Sequence, residues 1–262
     1  MTTAALHVAR TGLDAQAARM RVIANNLANV NTTGFKRDRA QFETLAYQTM
    51  TAAGAPSSAD AKYATGNSLG SGVQMTGTAR LNTQGALSTT DNPLDVAIEG
   101  DGFFQIQMPD GRTGYTRAGN FNLSAEGLLV TNEGYAVQPQ IQVPEGTESI
   151  TIGKDGTVSA KMPGETESNT LGQLEIARFV NPAGLEAVGS NLLVETAASG
   201  AAQTGVAGLD GRGSIQQGAL EASNVNVVQE LVDMIETQRA YEVSSKMITA
   251  TDEMLRNANQ NL

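Results

Sequence analysis

From Val227 to Leu262 an apolar or aromatic residue returns every seven positions, at Val227, Met234, Tyr241, Ile248, Leu255 and Leu262. Seven residues are two helical turns, so these side chains form one narrow stripe along a single long helix. Such a stripe has to be covered by another helix. Small residues three places further on, at Thr237, Ser244, Thr251 and Ala258, let that partner approach closely. Ser223 to Asn226 offer N-cap side chains, and Glu230 and Asp233 lie where the helix dipole favours acids.

The other end carries a matching stripe. Leu6, Leu13, Met20 and Leu27 are spaced by seven, with Ala9, Ile23 and Val30 on the adjoining position. Ala-rich filler favours a helix, which is expected to stop in Asn29–Gly34, where Gly34 suits a left-handed cap. Asn25 and Asn29 lie one turn apart, and amides there can fix register across a helix interface. The ends are also complementary in charge. Residues 1–40 hold six Lys/Arg against Asp14 and Asp38, a balance of +4; residues 221–262 hold seven acids against Arg239, Lys246 and Arg256, a balance of −4. The candidate interface is therefore Leu6, Leu13, Met20, Asn25, Leu27 and Asn29 at one end, with Val227, Met234, Tyr241, Ile248 and Leu255 at the other.

Between the ends the period changes. Leu94, Val96 and Ile98 alternate, as do Phe104, Ile106 and Met108, and Pro109-Asp110-Gly111 supplies a turn. Short strands follow as far as Ile150–Ile152, separated by Gly, Asn and Pro. The fold class is α+β. An N-terminal helical segment (1–34) leads through an extended connector (35–93) to a central all-β domain (94–205). A return connector (206–221) then leads to the C-terminal helix (222–262), and the two helices pair as a coiled-coil-like domain. The connector from Thr44 to Asp91 is poor in large apolar residues and needs partners to become ordered. Ends that pair outside a central domain are the mark of a polymer subunit.

Enzyme chemistry finds little footing. No Cys is present, which excludes thiolate nucleophiles and sulfur-bound zinc, and the single His7 cannot anchor a usual transition-metal site. Gly66-Asn67-Ser68-Leu69-Gly70 has the letters of a nucleophile elbow, but its flanks are polar and His7 precedes the Ser. The Asp-Gly pairs at Asp101, Asp110, Asp155 and Asp210 read as turns, since none lies in a spaced calcium loop. Trp is absent and the acids are scattered, which counts against glycoside hydrolysis. No catalytic, cofactor-binding or metal residue is assigned, and no cofactor is expected. The net charge of −10 disfavours nucleic acid. No run approaches the roughly 20 apolar residues of a membrane span, and Met1–Arg10 lacks the apolar core of a cleaved secretory signal.

Three segments resemble one known family. Ala24-Asn25-Asn26-Leu27-Ala28-Asn29-Val30-Asn31-Thr32-Thr33-Gly34-Phe35-Lys36 resembles the N-terminal signature of flagellar rod and hook axial proteins. Ser223 to Val232, continuing through Gln238-Arg239-Ala240-Tyr241-Glu242, resembles their C-terminal signature. Asp95 to Phe104 and Tyr115-Thr116-Arg117-Ala118-Gly119-Asn120-Phe121 resemble their shared β module. The resemblance implies paired terminal helices lining a tube, a connector outside them and an outward β domain. It implies a structural subunit of the rod in the periplasmic part of the flagellar basal body. The length fits the distal segment best, with the proximal rod as the close competitor. The implied partners are further copies in a helical homo-polymer, proximal rod proteins, hook or hook–rod junction subunits, the P-ring and L-ring bushing, and the flagellar type III export apparatus. The rival class is a monomeric periplasmic enzyme or adhesin built on the β module, with the helices as tethers.

Overall fold

The two stripes fold as long helices, α1 (Thr2–Ala28) and α2 (Val227–Gln260). This computed structural model describes the backbone of residues 2–56, 62–164 and 167–260; the side chains of 2–5, 255 and 258–260 lie outside the description, and so do Leu255's place in the stripe and Leu262. At 1.5 Å per residue, the 34 residues of α2 span roughly 50 Å. Asn226 caps α2: its Oδ1 accepts from the amides of Val228 (3.0 Å) and Gln229 (3.3 Å). α1 stops at Ala28, earlier than the glycine that suits a left-handed cap, and Asn29–Phe35 continue as turns closed by Thr32 N–H to Asn29 O and Phe35 N–H to Thr32 O.

One compact unit draws on residues 1–27, 38–79 and 226–262. Within it the helices meet at three levels that run in opposite chain directions. A methyl group at Gly12 would lie 3.7 Å from Ser244 Oγ, Arg19 reaches Asp233 at 3.8 Å, and Asn26 donates to Glu230 at 3.3 Å. Two antiparallel ribbons accompany them: Asp38–Thr44 pairs with Val73–Arg80, and Tyr47–Thr51 with Asn67–Gly70. A two-stranded ribbon buries little of its own surface. Accordingly Tyr47, Met50, Tyr63 and Leu69 are all exposed.

The second unit comprises residues 28–37 and 80–225. Its largest sheet runs in the order Glu186–Gly189, Leu192–Val194, Thr113–Thr116, Phe103–Gln107, Glu175–Arg178, Gln203–Val206, with Val137–Gln138 also paired to Phe103–Gln107. Alternation along that central strand sends Phe104 and Ile106 into the main core with Phe121, Leu174 and Ile176, and turns Phe103 to the other face, against Phe179 and Tyr115. Phe104 and Phe121 meet edge to face, with centroids 5.1 Å apart, the arrangement that the ring quadrupoles prefer. Gly119 lies against the Val96 carbonyl so closely that no Cβ would fit.

Segments on both sides of the strand-rich middle complete this unit. Ser214–Gln217 pairs with Val96–Glu99 and places Ile215 in the main core, while Ala219–Glu221 pairs with Leu87–Thr89. A fragment of residues 28–225 is therefore expected to unfold cooperatively and show dispersed amide NMR signals. Residues 94–205 alone lose Ile215 and both of these pairings, and should show neither property.

Candidate functional site

The sequence-derived interface residues fall into two groups by exposure. In α1, Leu6, Leu13, Met20 and Leu27 are half-buried, while Ala9, Ala15, Ala18, Ile23 and Asn26 are fully buried. In α2, Met234 and Ile248 are half-buried, whereas Val227 and Tyr241 are exposed. Among the described side chains of α2, Glu230 and Thr237 are fully buried, and Ser244 and Thr251 on the same ridge are half-buried. Small and polar side chains thus face inward on α2. Most of the large ones look out, with Val228 71 %, Val243 59 % and Met254 63 % exposed.

Of the amide cluster, the buried member is Asn26; Asn25 is exposed and Asn29 half-buried. Asn26 Oδ1 accepts from the Asp38 amide and its Nδ2 donates to the Asp38 carbonyl, both at 2.9 Å, while the same Nδ2 also donates to Glu230. One side chain so ties α1, the first ribbon strand and α2. Asn29 instead accepts from Thr32 Oγ1 at 3.1 Å within the turn that follows α1.

A second cluster closes the β unit where the chain enters and leaves it. Glu221 is fully buried. Its Oε1 accepts from Lys36 Nζ and from the Gly85 amide (2.8 Å), and its Oε2 pairs with Arg117 Nε at 3.0 Å. Lys36 and Arg117 are themselves only 4 % and 5 % exposed. Lys36 also donates to the Thr83 carbonyl, and Arg117 to the carbonyls of Gly100 and Gly102, each at 2.8 Å. Burial holds the pKa of both cations below the usual range, an effect that Glu221 opposes. Beside this cluster, Asn224 Oδ1 accepts from the Arg37 amide at 2.7 Å, and its Nδ2 donates to the carbonyls of Leu81 (2.8 Å) and Thr83 (3.0 Å). Gly34, at φ +69°, lies where a Cβ would stand 2.7 Å from the Arg117–Ala118 backbone, so the turn admits no side chain.

Three family models match the segments that meet here. They are described as a flagella basal body rod protein (residues 6–36), the flagellar hook protein FlgE/F/G D1 domain (97–160) and the flagellar basal body rod FlgEFG protein C-terminal (216–261). The flagellar basal-body rod protein FlgG of Buchnera aphidicola subsp. Schizaphis graminum is 51 % identical over 97 % of this chain and 98 % of its own length. The chain belongs to the FlgG family of flagellar basal-body rod proteins. The Caulobacter vibrioides FlgG is 47 % identical over 98 % of each chain, and the Bacillus subtilis FlgG 40 % identical over 90 % of each. Lys36 lies at the end of the N-terminal family match, Arg117 within the D1 match, and Glu221 and Asn224 within the C-terminal match. In this rod protein the three matched regions are thus drawn together by one buried carboxylate.

The other sequence candidates are placed as follows. Ser68 lies on the exposed ribbon strand Asn67–Gly70 rather than at a strand-to-helix elbow. His7 shares a hydrogen bond of 3.2 Å between its Nδ1 and the Ser71 carbonyl. Among the described residues, no group of three His, Asp or Glu is arranged to hold a metal. No described helix is long and apolar enough to cross a membrane. Sequence reasoning missed Asn26, Glu221, Arg117 and Asn224 as contact residues; its one usable signal was the opposite charge of the chain ends, which holds Lys36 at one end and Glu221 at the other.

Replacing Glu221 by Gln leaves two buried cations without a carboxylate and is expected to destabilise the β unit by about 3–5 kcal/mol. Lys36→Met keeps the Arg117–Glu221 pair and should cost less than half as much. Chemical denaturation of the two variants checks the ranking, which an equal loss would overturn.

Proposed function

We propose that the chain is a structural subunit of the distal flagellar rod, polymerising into a rigid helical tube that transmits torque to the hook around an open export channel. Its terminal helices pair in coiled-coil fashion and line that tube, and it has no catalytic role. The carrying observation is the outward apolar surface of α2, running from Val228 through Ile235 and Val243 to Met254, which a lone chain leaves uncovered. The helices α1 and α2 already meet through small and polar residues, so this surface is available to neighbouring copies. A heterologous contact whose rotation does not close generates a helical polymer, and many such contacts in parallel resist twisting. Identity to rod proteins named FlgG over nearly the whole chain supports the distal segment over the proximal one. In that setting the chain's neighbours are proximal rod proteins, hook or hook–rod junction subunits and the P- and L-ring bushing, reached through the flagellar type III export apparatus.

Met234 and Ile248, on the seven-residue stripe of α2, are half-buried and lie beside the covered ridge of Glu230 and Thr237. Ile248→Asp removes about 2 kcal/mol of apolar burial at each contact and adds a charge. Rods are expected to be absent from basal bodies of cells carrying this variant, seen by electron microscopy, while the β unit of the purified chain melts as in wild type. Normal rods would refute the helix-packing reading.

A second observation concerns the ribbons. Their exposed Tyr47, Met50, Tyr63 and Leu69 favour a role for residues 44–91 as a wedge between neighbouring subunits that stiffens the rod. Shortening the Tyr47–Gly70 ribbon should give bent rods or rods of abnormal length; straight rods of normal length would remove this role.

A further inference from the structure

The β unit carries a cleft of about 160 Å³ beside the buried ion cluster, lined among others by Asn82, Asp101, Phe103, Arg178 and Val180. Its charge is out of balance. Lys36 and Arg117, both buried, share the one buried carboxylate of Glu221, which leaves an excess positive charge where water screens it poorly. Asp101, the other acid whose field reaches both cations, is exposed and so offsets the excess weakly. Arg178 adds a third cation to the wall. Asn82 is out of balance in a different way. Both polar atoms of its side-chain amide are buried and neither has a hydrogen-bond partner. Such an amide is completed by a water, an ion or a polar group from another chain. Around these groups stand Phe103, Phe179, Val180 and Pro182, with Val180 81 % exposed. Apolar residues around a polar centre keep water out once a partner covers them.

We propose that this cleft receives a carboxylate side chain from a second copy of the chain. The volume suits one side chain. An Asp or Glu would supply the missing negative charge and accept from the Asn82 amide and the Arg178 guanidinium. The occupant follows from the charge of the chain itself. With 27 acids against 17 bases, copies packed side by side repel one another unless acids of one meet cations of the next. The inference rests on the polymer reading above, in which every copy presents this cleft to the same surface of a neighbour.

The test uses the full-length chain. Asn82→Leu removes the unpaired amide and should leave the melting temperature of the β unit at or above that of wild type, yet raise the critical concentration for polymer formation at least tenfold. Arg178→Glu should raise it further. Because the chain has no Cys, Val180→Cys can carry a single photo-crosslinker. Mixed sparsely with isotope-labelled wild-type chains, it should couple to a labelled peptide containing Asp or Glu. Wild-type critical concentrations in both substitution variants, or crosslinks confined to one copy, would overturn the proposal while leaving the polymer reading standing. Acetate or inorganic phosphate raising the melting temperature of wild type but not of Asn82→Leu, with no coupling between copies, would assign the cleft to a free anion and overturn the second-copy occupant. A wild-type chain that forms no polymer under any condition would remove the polymer reading and this occupant together.

Discussion

A carboxylate removed from water must be met by cations and donors, and the β unit is organised around that requirement at Glu221. Its two oxygens are held by Lys36, Arg117 and the Gly85 amide, groups contributed by three separate stretches of chain. Lys36 and Glu221 are 185 residues apart, so this contact closes one of the longest loops the chain can make. The entropy of closing a loop rises only slowly with its length, whereas an unmatched buried charge is strongly destabilising. The arrangement therefore selects one path for both chain ends with little ambiguity. Asn224 adds to it by taking the Arg37 amide and the Leu81 and Thr83 carbonyls at the same crossing.

The helical unit follows a different logic. Inside it the close contacts are small or polar: Gly12 near Ser244, Arg19 near Asp233, Asn26 with Glu230. Long helices owe most of their stability to packing of an apolar face. Here much of the apolar surface of α2 points away from α1, and the ribbons likewise expose aromatic and Met side chains. Such a unit is well suited to gain its packing from neighbours, which accords with a rod protein. The β unit, by contrast, buries its own aromatic and aliphatic core.

The family motifs acquire a physical meaning from this division. Gly34 and Lys36 in the N-terminal match, Arg117 in the D1 match and Asn224 in the C-terminal match are positions where backbone approach, charge or an amide is required by the crossing. They restrict how the chain enters and leaves its β unit.

The sequence by itself determined the α+β class. Seven-residue spacing can only be satisfied by long helices, and two-residue alternation only by strands, so both periods are local and survive without knowledge of the partner. It also carried the charge asymmetry that brings Lys36 and Glu221 together, and the capping role of the residues before α2. The tertiary structure alone decided which side of each helix is covered. A stripe of large residues and a ridge of small ones three positions away are equally regular in sequence, and the choice between them depends on how closely the neighbouring backbone approaches, as at Gly12 and Ser244. The same holds for the amides, where Asn26 is the buried one because the Asp38 backbone passes beside it. Glu221 could not be picked from seven acids in the last 42 residues, since its importance comes from Lys36 and Arg117 converging on it through space.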